Sequence, residues 1–332
     1  MVDLMHQLTQ CMQVFRRRLT MLKKIMKPIL FLFILAVILK LLSFLFVPKN
    51  NFAEFGMQQI EANGILGEKN NTIDVLIIGD SESFSSFSPL QMYEEQGFTS
   101  YVCGTPAQRL FDSYAFFEKA LETQTPKIVM LETNAIFRKY SITKDIESKL
   151  KKIFPIFQDH NRWKNLTIND FFGEISYTYT DPMKGYHLNH NTKPVPNRNY
   201  MAKNKKFAKI PANNLKYVEM MRKKSEEKGI KFILVSSASI KNWNFSKHQS
   251  IKKYAMENNV PYYDLNINHA VRIDWNQDTS DKGDHLNYNG AKKISTYMAN
   301  LLKTNYELPD HRNDKLYRKW NQDLVRYKKL VK

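Results

Sequence analysis

From Ile29 to Val47 the chain reads ILFLFILAVILKLLSFLFV, nineteen residues broken by one charge, Lys40. About 20 consecutive apolar residues are what an α-helix needs to cross the hydrocarbon of a bilayer. The run therefore dictates a transmembrane helix before the rest of the fold is decided. Lys40 is tolerable there if its long stem carries the ammonium toward the interface, or if the charge meets a protein partner inside the membrane. Arg16, Arg17, Arg18, Lys23, Lys24 and Lys27 precede the run against a single acid, Asp3, and the basic side of a span stays in the cytoplasm. The run ends Phe46-Val47-Pro48-Lys49 with no small-x-small cleavage site, which predicts an uncleaved anchor. Residues 1–28 are then a cytoplasmic basic segment, 29–47 the anchor, and everything beyond is extracytoplasmic, in the cell membrane's outer environment.

The part after Val47 holds 43 basic and 31 acidic residues, a formal charge of +12. Such a charge attracts polyanions. Outside the membrane those are anionic lipid headgroups or anionic cell-wall polymers rather than nucleic acid. Cys11 and Cys103 are the only cysteines, and this topology puts them on opposite sides of the bilayer, so no disulfide framework exists. A domain of this size has core enough to do without one. Its richness in Lys, Asn and Ile suggests a Gram-positive surface protein.

Residues 48–71 form a juxtamembrane connector, with a short helix around 52–62 that stops at Asn63-Gly64. Beyond it, apolar strand-like runs at 73–78, 99–103, 127–131, 231–236 and 261–265 alternate with helical stretches at 107–123, 212–229 and 244–258. This alternation predicts an α/β fold, a parallel sheet with helices on both faces, over 72–307. Ligands meet such a sheet at the carboxyl ends of its strands, where Ser81, Gly104, Asn134 and Ser237 fall. The stretch 140–211 breaks the rhythm and reads as an insertion over that edge. In the tail, 308–332, Tyr317, Trp320, Leu324 and Tyr327 recur at three and four residues among Arg and Lys. That spacing predicts a basic amphipathic helix packed on the domain, with a membrane-surface helix as the alternative.

Gly79-Asp80-Ser81 follows the first apolar run, and Asp281-Lys282-Gly283-Asp284-His285 comes two hundred residues later. A serine is a weak nucleophile until a base takes its proton. Ser81, exposed where a strand gives way to a turn, is the candidate nucleophile, and His285 the candidate base. The orienting carboxylate is Asp281 or Asp284. Adjacent side chains point apart, which favours Asp281 reaching through the turn that Gly283 permits; Asp284 stays an alternative and Asp278 a distant one. The backbone N–H groups of Ser81 and Gly104 with the Asn134 amide are candidate oxyanion donors. His187 and His190 lack a third ligand, so no metal and no cofactor is expected.

The order Gly79-Asp80-Ser81, Gly104, Leu131-Glu132-Thr133-Asn134 and His285 behind its aspartates resembles the SGNH/GDSL hydrolase superfamily over about 72–304. The runs Asp284–Lys293 and Ser237–Trp243 look like its membrane-anchored branch of DltD-like and polysaccharide O-acylation proteins. Two departures stand out: Lys282 breaks the usual Asp-x-x-His spacing, and Glu132-Thr133-Asn134 lacks the glycine of the usual Gly-x-Asn-Asp block. The resemblance implies a flavodoxin-like three-layer α/β/α sandwich and an acyl-serine intermediate, with no metal. It also implies action beside a membrane-bound O-acyltransferase on a cell-surface glycopolymer such as teichoic acid or another cell-wall polysaccharide. The expected activity is a serine acyltransferase or esterase handling acetyl or D-alanyl groups. The alternative is a catalytically inactive assembly or binding partner of the same acyltransferase, keeping the fold without the chemistry.

Overall fold

The computed structural model describes residues 2–267 and 271–332. It divides into two compact units, one of residues up to Lys49 with Lys149–Glu174, the other Asn50–Ser148 with Ile175–Lys332.

The larger unit is built on five strands, β1 (Val75–Gly79), β2 (Ser100–Gly104), β3 (Ile128–Glu132), β4 (Lys231–Ser236) and β5 (Tyr262–Asp264). All pair in parallel, in the order β2-β1-β3-β4-β5. Parallel strands need long crossovers, and helices Pro89–Gln96, Leu110–Ala120, Ala212–Glu227 and Phe245–Glu257 lie in them. Both faces of the sheet are covered, which is why the strands read as unbroken apolar runs rather than alternating ones. Leu76, Ile78, Val129, Leu131 and Leu234 pack on one side with Phe117, Val218, Met221 and Ile251. Val75, Ile77, Met130, Ile233 and Val235 pack on the other with Ile294, Met298 and Leu302 of helix Tyr288–Asn305. The result is the three-layer α/β/α arrangement expected.

Local signals set the helix ends. Ser88 caps Pro89–Gln96 by accepting from the Gln91 N–H, with Pro89 at the first helical position and Gly97 at φ 76° closing it. The connector holds a 3₁₀ turn at Ala53–Phe55 and a one-turn helix at Ile60–Asn63, shorter than the helix expected over 52–62. The tail forms helix Arg318–Leu330, and Trp320, Asp323 and Tyr327 on it are buried in the sheet unit. Packing on the domain, rather than a membrane-surface role, is what its aromatic face does. Beneath it Lys184 is fully buried, donating to Glu68 at 2.7 Å and to Asp323 at 2.9 Å.

In the smaller unit one helix runs from Val2 to Phe46, so the basic flank continues the helix of the apolar run. It is the one helix among the described residues long and apolar enough to cross a membrane. The insertion expected over 140–211 is divided. Residues 149–174, with short helices Ile156–Asp159 and Ile168–Phe172, belong to this smaller unit. Residues 175–211 belong to the sheet unit, where Lys193 and Val195 donate backbone hydrogen bonds to Thr279 and Trp275.

Candidate active site

The strand order places β1 at a switch point. The chain leaves β1 outward to β2, then returns to pair β3 on the other side of β1. In open parallel sheets that reversal leaves a crevice at the carboxyl ends, and the residues after β1 and β3 are Asp80-Ser81 and Thr133-Asn134.

Ser81 opens helix Ser81–Ser86, and Asp80 is its N-cap. One Asp80 oxygen accepts from the Glu82 N–H at 3.0 Å, while the other accepts from the Asn134 amide at 3.1 Å and from the Arg138 guanidinium at 2.8 Å. The middle residue of Gly-Asp-Ser thus fixes the turn that presents the serine and ties it to the end of β3. Ser81 is half-buried. As the first residue of a helix it carries a backbone N–H with no intrahelical partner. Gly104 closes β2 opposite Gly79. A Cβ on Gly104 would lie 2.5 Å from Ser83 Oγ and 3.2 Å from the Asp80 carbonyl, so the close approach of β2 to the serine turn requires glycine there.

The Asn134 side chain is held at both ends. Its Nδ2 donates to Asp80, and its Oδ1 accepts from Lys247 Nζ at 3.3 Å, which fixes the sense of the amide. Asp80 takes one amide hydrogen and leaves the other for an incoming oxygen. Glu132 stands where the resemblance expects a glycine. Its carboxylate accepts from the Asn134 N–H at 2.9 Å and the Ser237 N–H at 3.3 Å, tying the ends of β3 and β4 together.

The histidine loop is shaped by two successive left-handed residues, Lys282 at φ 67° and Gly283 at φ 84°. They fold the chain back so that Asp281 receives the His285 backbone N–H at 2.7 Å and the His285 ring Nδ1 at 2.5 Å. A carboxylate only accepts, so Nδ1 carries the proton, and in the neutral ring Nε2 is the proton acceptor. Nε2 is buried and has no hydrogen-bond partner among the described residues. Asp284 points elsewhere, accepting from Lys241 Nζ and Asn242 Nδ2 at 2.5 Å each. Burial pushes its carboxyl up, but those two donors outweigh burial and hold it below its ordinary value. Asp278 is taken by Lys293 at 2.5 Å.

Asn242 also donates to Glu82 at 2.7 Å, so a single amide bridges the residue after Ser81 and the residue before His285. Ser239 donates to the carbonyls of Gly283 and Asp284. The end of β4 thereby braces the serine turn and the histidine loop together. Around this bridge the Asp80, Glu82, Glu132 and Asp284 carboxylates meet Arg138, Lys241 and Lys247. Burial first, then the Asp80 and Glu132 charges, push Glu82 well above the usual carboxylate range. Burial and Asp80 push Glu132 up to about 8. Burial lowers Lys247 against the pull of Glu132, Glu82 and Asp80.

Ligand atoms of Asp281, Asp284 and His285 lie within 4.8 Å of one another, but the Lys241 ammonium already sits on Asp284, which suits a histidine dyad better than a cation. His187 packs at a tilt against the Phe84 ring, and His190 reaches the Leu330 carbonyl at 3.1 Å. Glu82, Arg138 and Lys247 were not singled out from the sequence, and Glu132 and Asn242 appeared there only within the motif runs, with no role assigned. Only Glu82 and Glu132 carried a local signal, as acids next to the motif residues.

No protein-family model and no curated protein matches this chain. Among solved structures it is similar to a protein described as a lipolytic member of the G-D-S-L family from Desulfitobacterium hafniense DCB-2, at 16% identity over 70% of this chain and 100% of that one, TM-score 0.39. It is similar to a protein described as an acylhydrolase from Bacteroides fragilis NCTC 9343, at 15% identity over 75% of this chain and 94% of that one, TM-score 0.39. It is also similar to the lipase/acylhydrolase from Enterococcus faecalis, at 11% identity over 72% of this chain and 98% of that one, TM-score 0.33. At such distance the reading of the site rests on this chain's own side chains.

Proposed function

We propose that the chain is a membrane-anchored, extracytoplasmic serine esterase or O-acyltransferase of the SGNH type, moving acyl groups on a hydroxyl-bearing cell-surface glycopolymer. The observation that carries this reading is the Asp281–His285 pair, whose Nε2 is buried without a partner on a loop that Asn242 ties to the Ser81 turn.

In this mechanism Ser81 Oγ attacks the acyl carbonyl as His285 Nε2 takes its proton, and Asp281 steadies the imidazolium. The developing oxyanion is held by the Ser81 and Gly104 N–H groups and the free amide hydrogen of Asn134. The proton on Nε2 then goes to the leaving alcohol. In the second half His285 Nε2 takes the proton of the acceptor hydroxyl, which attacks the acyl-serine carbonyl, and as the Ser81 ester bond breaks that proton passes to Ser81 Oγ. The Arg and Lys cluster before the apolar helix orients the anchor with the sheet unit outside. The formal +12 beyond it attracts an anionic polymer such as teichoic acid. A membrane-bound O-acyltransferase supplying the acyl group is the expected partner.

Incubating the full-length protein in micelles with a fluorophosphonate probe tests the nucleophile. Label is expected on Ser81 and lost in Ser81→Ala; undiminished labelling of that variant overturns the assignment. Mass analysis of surface polymers with and without the gene identifies the acyl group and acceptor. If Ser81→Ala and His285→Ala both preserve polymer acylation in cells while removal of the anchor abolishes it, the chain is a non-catalytic partner instead.

A further inference from the structure

The smaller unit poses a problem that the active site does not touch. Lys40 lies within the apolar run, seven residues before its end, where an unanswered charge is costly to insert. The structure answers the charge with residues 149–174. Lys40 Nζ donates to the Ile153 carbonyl at 2.7 Å and lies 5.4 Å from the centre of the Phe154 ring. One turn on, Ser43 Oγ accepts from the Ile156 N–H at 3.2 Å. Another turn on, Arg162 donates to the Phe46 carbonyl at 2.5 Å, and its charge is neutralised by buried Asp170 at 2.8 Å. Positions 40, 43 and 46 follow one side of the helix, so the polar groups on the last two turns of the span are met by a single segment.

The outer surface of that segment is amphipathic, with large apolar side chains standing out among exposed Lys149, Lys152, Gln158, Lys164, Asn169 and Glu174. Ile153, Phe157, Trp163, Ile168, Phe171 and Phe172 are all exposed, Phe172 to 83% and Trp163 to 63%. Aliphatic and aromatic side chains of this size gain free energy on leaving water, and so many standing out of 26 residues mark a surface that contacts something other than water. The same exposure runs down the helix, at Phe31, Phe33 and Leu41, whose solvent is lipid if the helix spans. Because the segment is bonded to the helix at the level of Lys40 to Phe46, what surrounds the helix there surrounds the segment too.

We propose that residues 149–174 form a collar at the interface of the outer leaflet, lying along one side of the last two turns of the anchor, with these exposed rings and aliphatic chains among the acyl chains of phospholipid and the lysines, asparagines and Glu174 among its headgroups. Trp163 sits at the headgroup boundary, where tryptophan is enriched. The collar converts Lys40 from an obstacle to insertion into the fastening that holds the segment at depth. This inference rests on the reading of residues 29–47 as a transmembrane helix.

Trp163 supplies the probe, because Trp243, Trp275 and Trp320 are each 5% exposed or less. The full-length chain is reconstituted in vesicles of phosphatidylcholine and phosphatidylglycerol, with or without bromines on the acyl chains. Brominated lipid is expected to quench most of the emission that the Trp163→Phe variant lacks, and to leave that variant nearly unchanged. Aqueous iodide is expected to quench it little. Emission from Trp163 that iodide quenches and brominated lipid does not overturns the collar. A Phe33→Trp probe in the Trp163→Phe background separates the two readings. If Phe33→Trp is quenched by brominated lipid and Trp163 is not, the anchor stands and the collar falls; if neither is quenched, both fall.

Discussion

At Asp281 a single carboxylate performs two jobs, receiving the His285 backbone N–H and its ring Nδ1, while Asp284 is consumed by Lys241 and Asn242. The two acids therefore separate by mutation. Asp281→Asn is expected to lower kcat/KM for an activated acetyl ester by about 10³–10⁴-fold, as loss of the orienting acid frees the wrong tautomer. Asp284→Asn is expected to stay within about tenfold, since it touches the loop's bracing and not the imidazole. Comparable losses in both, measured on chains with unchanged unfolding midpoints, would remove Asp281 from its role. The pairing was legible in sequence because a positive-φ glycine two residues before the histidine bends the chain back within four residues. Asn242 was not legible, because its amide matters only once β4 stands beside β3 and the two loops converge on it.

Among the elements, the C-terminal helix is the one whose sequence pattern and packing agree most closely. Its aromatic positions at three- and four-residue spacing are the buried ones, Trp320 lying 5.3 Å from the Tyr93 ring and Tyr327 reaching Ser88. What the pattern could not reveal is Asp323, an acid on the apolar face with no exposure, whose partner Lys184 lies 139 residues earlier. Burial alone would lower the Lys184 ammonium, but Glu68 and Asp323 outweigh it and raise it. Removing one carboxylate leaves a buried charge half-compensated, so Asp323→Ala is expected to destabilise the fold by about 3 kcal/mol. The surface pair between Lys328 and Glu94 is worth under about 1 kcal/mol, and Lys328→Ala is the matched control. Denaturant unfolding of the full-length chain in micelles measures both, and equal losses would show that the ion cluster contributes nothing beyond a surface pair. The short helices Ser81–Ser86 and Ile156–Asp159 left no periodic trace because one turn is too short to repeat an apolar position.

For the whole molecule, gathering Asp80, Glu82 and Glu132 at the strand ends makes stability depend on pH. Glu132 is raised from its ordinary 4.5 to about 8, chiefly by burial and then by Asp80, so between those values the folded chain holds a proton that the unfolded chain has released. The stability this contributes is complete below about pH 4.5 and is lost as pH climbs through about 8. The unfolding midpoint is expected to fall over that window, and Glu132→Gln to flatten the fall. An equal slope in the variant would assign the dependence to other groups. The alternation of strands and helices was enough to foresee the layered sheet, because parallel strands buried on both faces announce themselves by composition alone. The division into two units was not foreseen, since residues 149–174 find their partner more than a hundred positions earlier, in a helix whose apolar run already had an explanation. That division has a consequence for proteolytic shedding. The chain passes between the units three times, after Lys49, Ser148 and Glu174. A sheddase that severs the juxtamembrane stalk of an ordinary single-pass protein frees its ectodomain with one cut. With the apolar helix as the anchor proposed above, a scission after Lys49 leaves the sheet unit joined by two covalent connections to residues 149–174. Those residues still hold the helix through the Lys40, Ser43 and Phe46 contacts, so one cut does not by itself free the sheet unit.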